Sequence, residues 1–216
     1  MGQPESPAGP AGLCEKEAKE GFVCLFDGKT LDGWQGAVDG HVVEKGVLVC
    51  TKHGGGNLFT KKEYGDFIFR FEYKLEPGGN NGVGIRAPLE GTPAFTAIEI
   101  QILDNAAPEW KELDPVQLNG TVYGVVAAKQ GHEKPPGQWN AMEIMAKGPH
   151  VKVTLNDTVI VDADLRKAKP TPIRGDDIEG LRREKGYIGF CGHGHRVEFR
   201  DIRIKDLRDR PEKPRR

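Results

Sequence analysis

The stretch DFIFRFEYKLE, residues 66–76, constrains the fold of this chain more than any other. Phe67, Phe69, Phe71, Tyr73 and Leu75 occupy one phase, and Arg70, Glu72 and Lys74 the other. Such a period of two belongs to a strand with one face against a core. Shorter runs repeat the pattern: VVEKGVLVCT, NGVGIR, AIEIQILD, TVYGVV, NAMEIMAKG, HVKVTLNDTVIVDADL, GYIGFCGHG and VEFRDIRIKDL, with GFVCLFDG opening the series. Lys45-Gly46 and Asn156-Asp157 read as tight hairpin turns. In the last run Val197 and Phe199 are apolar on odd numbers but Ile202 and Ile204 on even ones, so a β-bulge belongs at Arg200-Asp201. Helical signals are confined to a turn near Pro108–Leu113 and another across DDIEGLRREKG. The expected architecture is all-β, about ten to twelve strands in a two-sheet sandwich.

Composition agrees: 29 Gly and 15 Pro in 216 residues favour short strands and many turns in one domain. With 31 basic against 32 acidic residues and a net charge of −1, the chain lacks the basic surface of a nucleic-acid binder. No apolar run approaches the roughly 20 residues of a membrane-inserted helix. Cys14, Cys24, Cys50 and Cys191 show no zinc-ligand spacing, and Cys50 and Cys191 sit in apolar strand patterns that suit buried thiols. Residues 1–20 read as a flexible lead-in, 21–207 as the domain and 208–216 as a basic tail.

The same alternation identifies the side chains that face away from the core. Gly82, Gly84 and Arg86 in one run, Glu99 and Gln101 in another, and Gly189, Cys191 and His193 in a third all take that phase. Glycine inside a strand weakens it and marks close approach of something else. Three runs that pair small residues with a group capable of chemistry point to one pocket. His193 and His195 are spaced to chelate a divalent metal, but two histidines do not complete a ligand set.

The runs GFVCLFDGKTLDGW, NNGVGIR, EIQILD, GQWNAMEI, LND and GYIGFCGHGHRVEFRDIRIK together resemble the 3-keto-disaccharide (3-keto-glucoside) hydrolase domain family, formerly domain of unknown function 1080. The resemblance covers residues 21 to about 205. It implies a concanavalin/laminarinase-like jelly roll, export to the periplasm or beyond with the leader absent from this chain, and a small oxidised sugar as substrate. Cys191 stands where the family often has Gln, and GNNGVGIR where it tends to show GNSGI and then an Arg.

A keto group at C3 acidifies the hydrogen on C2. A base can then form an enolate that expels the C1 substituent, and water adds back. Such a site needs a base, an oxyanion stabiliser and an acid for the leaving oxygen. Glu99 or His193 could be the base, and Arg86 could hold the oxyanion. Gln101, Asp104, Asn81, Tyr123 and Trp139 are candidates for binding the sugar, although Trp139 also suits a plug in the sandwich. A paired-carboxylate glycosidase fits less well, because Glu99 and Asp104 have opposite parity. A glycan-binding module without turnover is the competing reading.

Overall fold

A computed structural model describes residues 15–51, 53, 55–173 and 179–208. Cys14, most of the lead-in, part of the DDIEGLRREKG run and the tail from 209 onward lie outside the described residues. Within the expected lead-in, Glu15–Glu20 forms a short helix (α1), and Glu17 pairs with Arg70 and Arg203.

Thirteen strands build two antiparallel sheets among the described residues. The larger contains Val23–Cys24 (β1), His41–Glu44 (β3), Val47–Cys50 (β4), Phe67–Leu75 (β6), Asn140–Lys147 (β9), His150–Leu155 (β10), Thr158–Asp164 (β11) and Val197–Asp206 (β13). Its order is β11-β10-β9-β6-β13-β4-β3, with β1 also on β13. The smaller contains Trp34–Gly36 (β2), Gly56–Thr60 (β5), Asn80–Ala87 (β7), Ile98–Leu103 (β8) and Tyr187–Gly192 (β12), in the order β2-β5-β12-β7-β8.

The core lies between the sheets. The odd residues of β6 are buried and the even ones part-exposed, as the alternation requires. Phe190 of β12 stacks on Phe199 of β13 with ring centroids 3.8 Å apart, and Trp34 also stacks with Phe190 at 5.8 Å. Each such ring removed from water contributes about 1.5–3 kcal/mol. The expected turns form: Asn156 and Asp157 both have positive φ, and so do Lys45 and Gly46. The phase slip in β13 is a bulge, with Asp201 at φ 51 and the register on β6 shifting between Arg200 and Arg203.

One expected strand does not form. TVYGVV makes two single bridges, Ile100–Val122 and Val122–Val126, and turns back on itself. The Tyr123 amide donates to the Glu99 carbonyl, and the Gln101 amide to that of Thr121. The segment therefore covers the free edge of β8 without extending the sheet.

Candidate active site

The outer face of the small sheet carries the groups that alternation assigns to it, with one exception. Gly82 lies opposite Gln101 and Gly84 opposite Glu99 across the β7–β8 pair. A short helix, Pro93–Thr96 (α2), covers part of this face, where Phe59, Ala87 and Ala97 form a small second core. The remainder is an open cleft of about 290 Å³, bounded by Glu99 and Gln101, by Phe95 of α2, by Trp110 and Tyr123 of the following connection, and by His193.

The glycines admit protein neighbours. A methyl at Gly82 would collide with the Glu99 carboxylate, so its absence lets Glu99 lie flat across β7. A methyl at Gly84 would stand 3.2 Å from Pro93 and 3.3 Å from Cys191 Sγ, so this glycine admits α2. The Cys191 thiol is held well above its ordinary pKa by burial and then by the Glu99 charge, and forms a neutral floor. Cys50 behind it is pushed up to about 11, mainly by burial. Cys50 and Cys191 are free thiols.

Glu99 is 3 % exposed, and His193 Nε2 lies 3.8 Å from its Oε1. Gln101 Nε2 donates to Asn80 Oδ1 at 3.1 Å, which leaves Gln101 Oε1 able to accept and the Asn80 amide able to donate. Gln117 Nε2 donates to the Tyr123 hydroxyl at 2.9 Å, so the phenolic proton is free to point elsewhere. The Trp110 indole donates to the Gly78 carbonyl at 3.2 Å, and its ring meets His195 edge-on.

Four expected site residues stand elsewhere. Arg86 has φ 52 at a register shift between β7 and β12, and this left-handed residue turns its side chain off the cleft face. Its guanidinium is buried against the carbonyls of Gly65, Gly148 and Arg183 and against Asp66. Asn81 shares the phase of Val83 and is fully buried on the core side; its neighbour Asn80 is the cleft residue. The Asp104 carboxylate accepts from the amides of Gly78 and Ala106, bracing the backbone that holds Trp110. Trp139 neither plugs the core nor reaches the cleft; it lies over Arg200 and Lys74 on the outer face of the large sheet.

Sequence reading passed over Asn80, Trp110, Gln117 and Phe95. Parity would have found Asn80, two residues before Gly82. The others sit in irregular segments that carry no period. β12 ends at Gly192, and His193 and His195 diverge, one to Glu99 and one to Trp110. Among the described residues no group of three His, Cys, Asp or Glu is arranged to hold a metal ion.

Fold and cleft together define a concanavalin- or galectin-like lectin sandwich with an acid–imidazole pair on the outer face of its smaller sheet. Residues 21–205 match the 3-keto-alpha-glucoside-1,2-lyase-like domain family, and the chain belongs to it. A 3-keto-disaccharide hydrolase of Bacteroides thetaiotaomicron is 27 % identical over 229 residues, spanning 87 % of this chain and 79 % of that protein. A crystal structure of a candidate glycosyl hydrolase from Parabacteroides distasonis superimposes with a TM-score of 0.78 at 26 % identity, covering 90 % of this chain and 98 % of that one. The carbohydrate-binding module CBM66 of Bacillus subtilis shares the fold alone, with a TM-score of 0.55 at 12 % identity over 80 % of this chain and 95 % of the module.

Proposed function

We propose that the cleft cleaves 3-keto-glycosides by elimination across C1–C2 followed by hydration. The observation that carries this reading is a nearly buried carboxylate, Glu99, facing a half-exposed imidazole, His193, among neutral hydrogen-bonding groups. Family membership supports the substrate class.

In this reading the Glu99 carboxylate takes the proton from C2, and the electron pair of that bond moves onto the C3 oxygen. The free donors of Tyr123 and Asn80, not Arg86, stabilise the resulting enolate. The enolate re-forms the ketone and expels the C1 oxygen, which takes a proton from His193. Water then adds to C1 of the enone and gives one proton to the deprotonated His193, the C2 position regains a proton from Glu99, and the sum is hydrolysis. Burial of Glu99 keeps water from solvating the base, while the exposed imidazole can exchange its proton with solvent between turnovers.

Glu99→Gln keeps the shape of the cleft and removes the base. Turnover of a 3-keto-glucoside is expected to fall by about 10²-fold or more while binding by calorimetry persists. A substrate deuterated at C2 should slow the wild-type enzyme. Normal turnover by the variant would remove Glu99 as the base.

A further inference from the structure

A cavity of about 700 Å³ surrounds Arg86 and shares no lining residue with the cleft. Five arginines reach it: Arg86, Arg166, Arg182, Arg183 and Arg208. Asp66 offsets Arg86, and Asp164 offsets Arg166 at 2.9 Å. Arg182, Arg183 and Arg208 then stand against one carboxylate of the described lining, Glu184. In a chain with a net charge of −1, this is a local excess of cation over carboxylate among the described residues.

The cavity is also rigidly made. Arg86 Nη1 donates to the Arg183 carbonyl at 3.2 Å, and Arg183 Nε donates back to the Arg86 carbonyl at 2.8 Å. That reciprocal pair fixes the Arg183 guanidinium through one edge and leaves its two terminal nitrogens available. A methyl at Gly65 would collide with the Arg208 guanidinium, so the glycine lets that side chain lie over the backbone. The left-handed φ at Arg86 is a cost the chain accepts to aim a buried cation here. Between the arginines the lining is apolar, with Leu165 and Leu181 both nearly buried and Pro149 beside them.

We infer that this cavity is a second binding site, for a small organic carboxylate with an apolar body. Guanidinium forks match a planar carboxylate by two parallel hydrogen bonds, and Leu165, Leu181 and Pro149 would pack against the remainder. A cavity of this size with an apolar lining and a few convergent charges is typical of a small-molecule site.

Calorimetric titration of the whole chain at low salt, with benzoate, benzyl alcohol and inorganic phosphate as probes, tests the assignment. Benzoate is expected to bind one-to-one, benzyl alcohol not measurably, and phosphate at least several-fold more weakly than benzoate. The double variant Arg182→Ala, Arg208→Ala alters two exposed side chains and should weaken benzoate at least tenfold with an unchanged melting temperature. Glu99→Gln should leave benzoate binding untouched. No benzoate binding, binding unaffected by the arginine changes, or loss in Glu99→Gln would each overturn the inference. Phosphate binding as tightly as benzoate would overturn the apolar half of it.

Discussion

Gly82 shows how one missing methyl can hold a chemical group. A Cβ there would meet the Glu99 carboxylate, which is the free end of a flexible side chain, so the fold can absorb Gly82→Ala by moving Glu99. The expected outcome is a melting temperature close to wild type with kcat lowered by about 10²-fold, since a displacement near 1 Å is enough for that. Equal losses in stability and turnover would mean that Gly82 serves the sheet instead. His41 is a second residue with a definite consequence. It is buried, donates from Nδ1 to the Ala37 carbonyl, and leaves Nε2 without a partner. Burial holds its pKa below the ordinary value, outweighing that hydrogen bond. The folded state therefore binds fewer protons than the unfolded chain between the lowered pKa of His41 and about pH 6.5. Its contribution is present above that window and is lost as pH falls through it. Urea denaturation of His41→Gln should show a flatter loss of stability on the acid side than wild type; parallel curves would refute the assignment. Much of the site was legible at this scale, because parity alone selects Glu99, Gln101 and Gly82. It also excludes Asn81, which shares the phase of Val83 and Ile85, and favours Asn80.

At the scale of elements, regular strands could be read and irregular ones could not. The β13 bulge left a trace because apolar residues flank it and change phase. The β7 bulge left none: NGVGIR keeps its alternation to the end, and after the extra residue at Arg86 only Ala87 remains in the strand, too little to show a change of phase. A cation expected in the cleft is consequently a brace between segments 65–66, 148 and 183. Arg86→Ala would strip donors from three carbonyls and leave Asp66 without its cation. We expect a loss of about 3 kcal/mol in unfolding free energy, with kcat little changed in the protein that remains folded. A selective loss of kcat at unchanged stability would return Arg86 to the chemistry. The segment from Asp104 to Val126 was the hardest to read. Its order comes from Asp104 holding Gly78, Gly78 receiving Trp110, and Gln117 donating to Tyr123, contacts between residues with no common period. The cleft draws on both kinds of segment: the alternating runs supply Asn80, Glu99 and Gln101, and the irregular connection supplies Trp110, Gln117 and Tyr123.

Over the whole molecule, the sheets divide the work. The outer face of the large sheet is a ladder of ion pairs, with Arg70–Glu143, Lys74–Glu198 and Arg200–Glu72 all part-exposed. Such pairs each contribute little to stability and keep this face from offering an apolar surface. The small sheet instead turns nearly buried polar groups outward and covers most of them with α2 and the 104–126 connection. Its fold is shared with sugar-binding modules, so the fold alone does not distinguish binding from cleavage. Under the proposed function, the chemistry of the substrate does. Among glycosides, a 3-keto group is what makes the C2 hydrogen acidic enough for a single carboxylate to remove, and the described residues lining the cleft include no second carboxylate for displacement at C1. The most direct test compares a chromogenic 3-keto-glucoside with its unoxidised parent, measuring release of the leaving group by the purified chain. Release from the keto compound alone is the expected result. Release from both at similar rates, or binding of either with no release, would contradict elimination through C2.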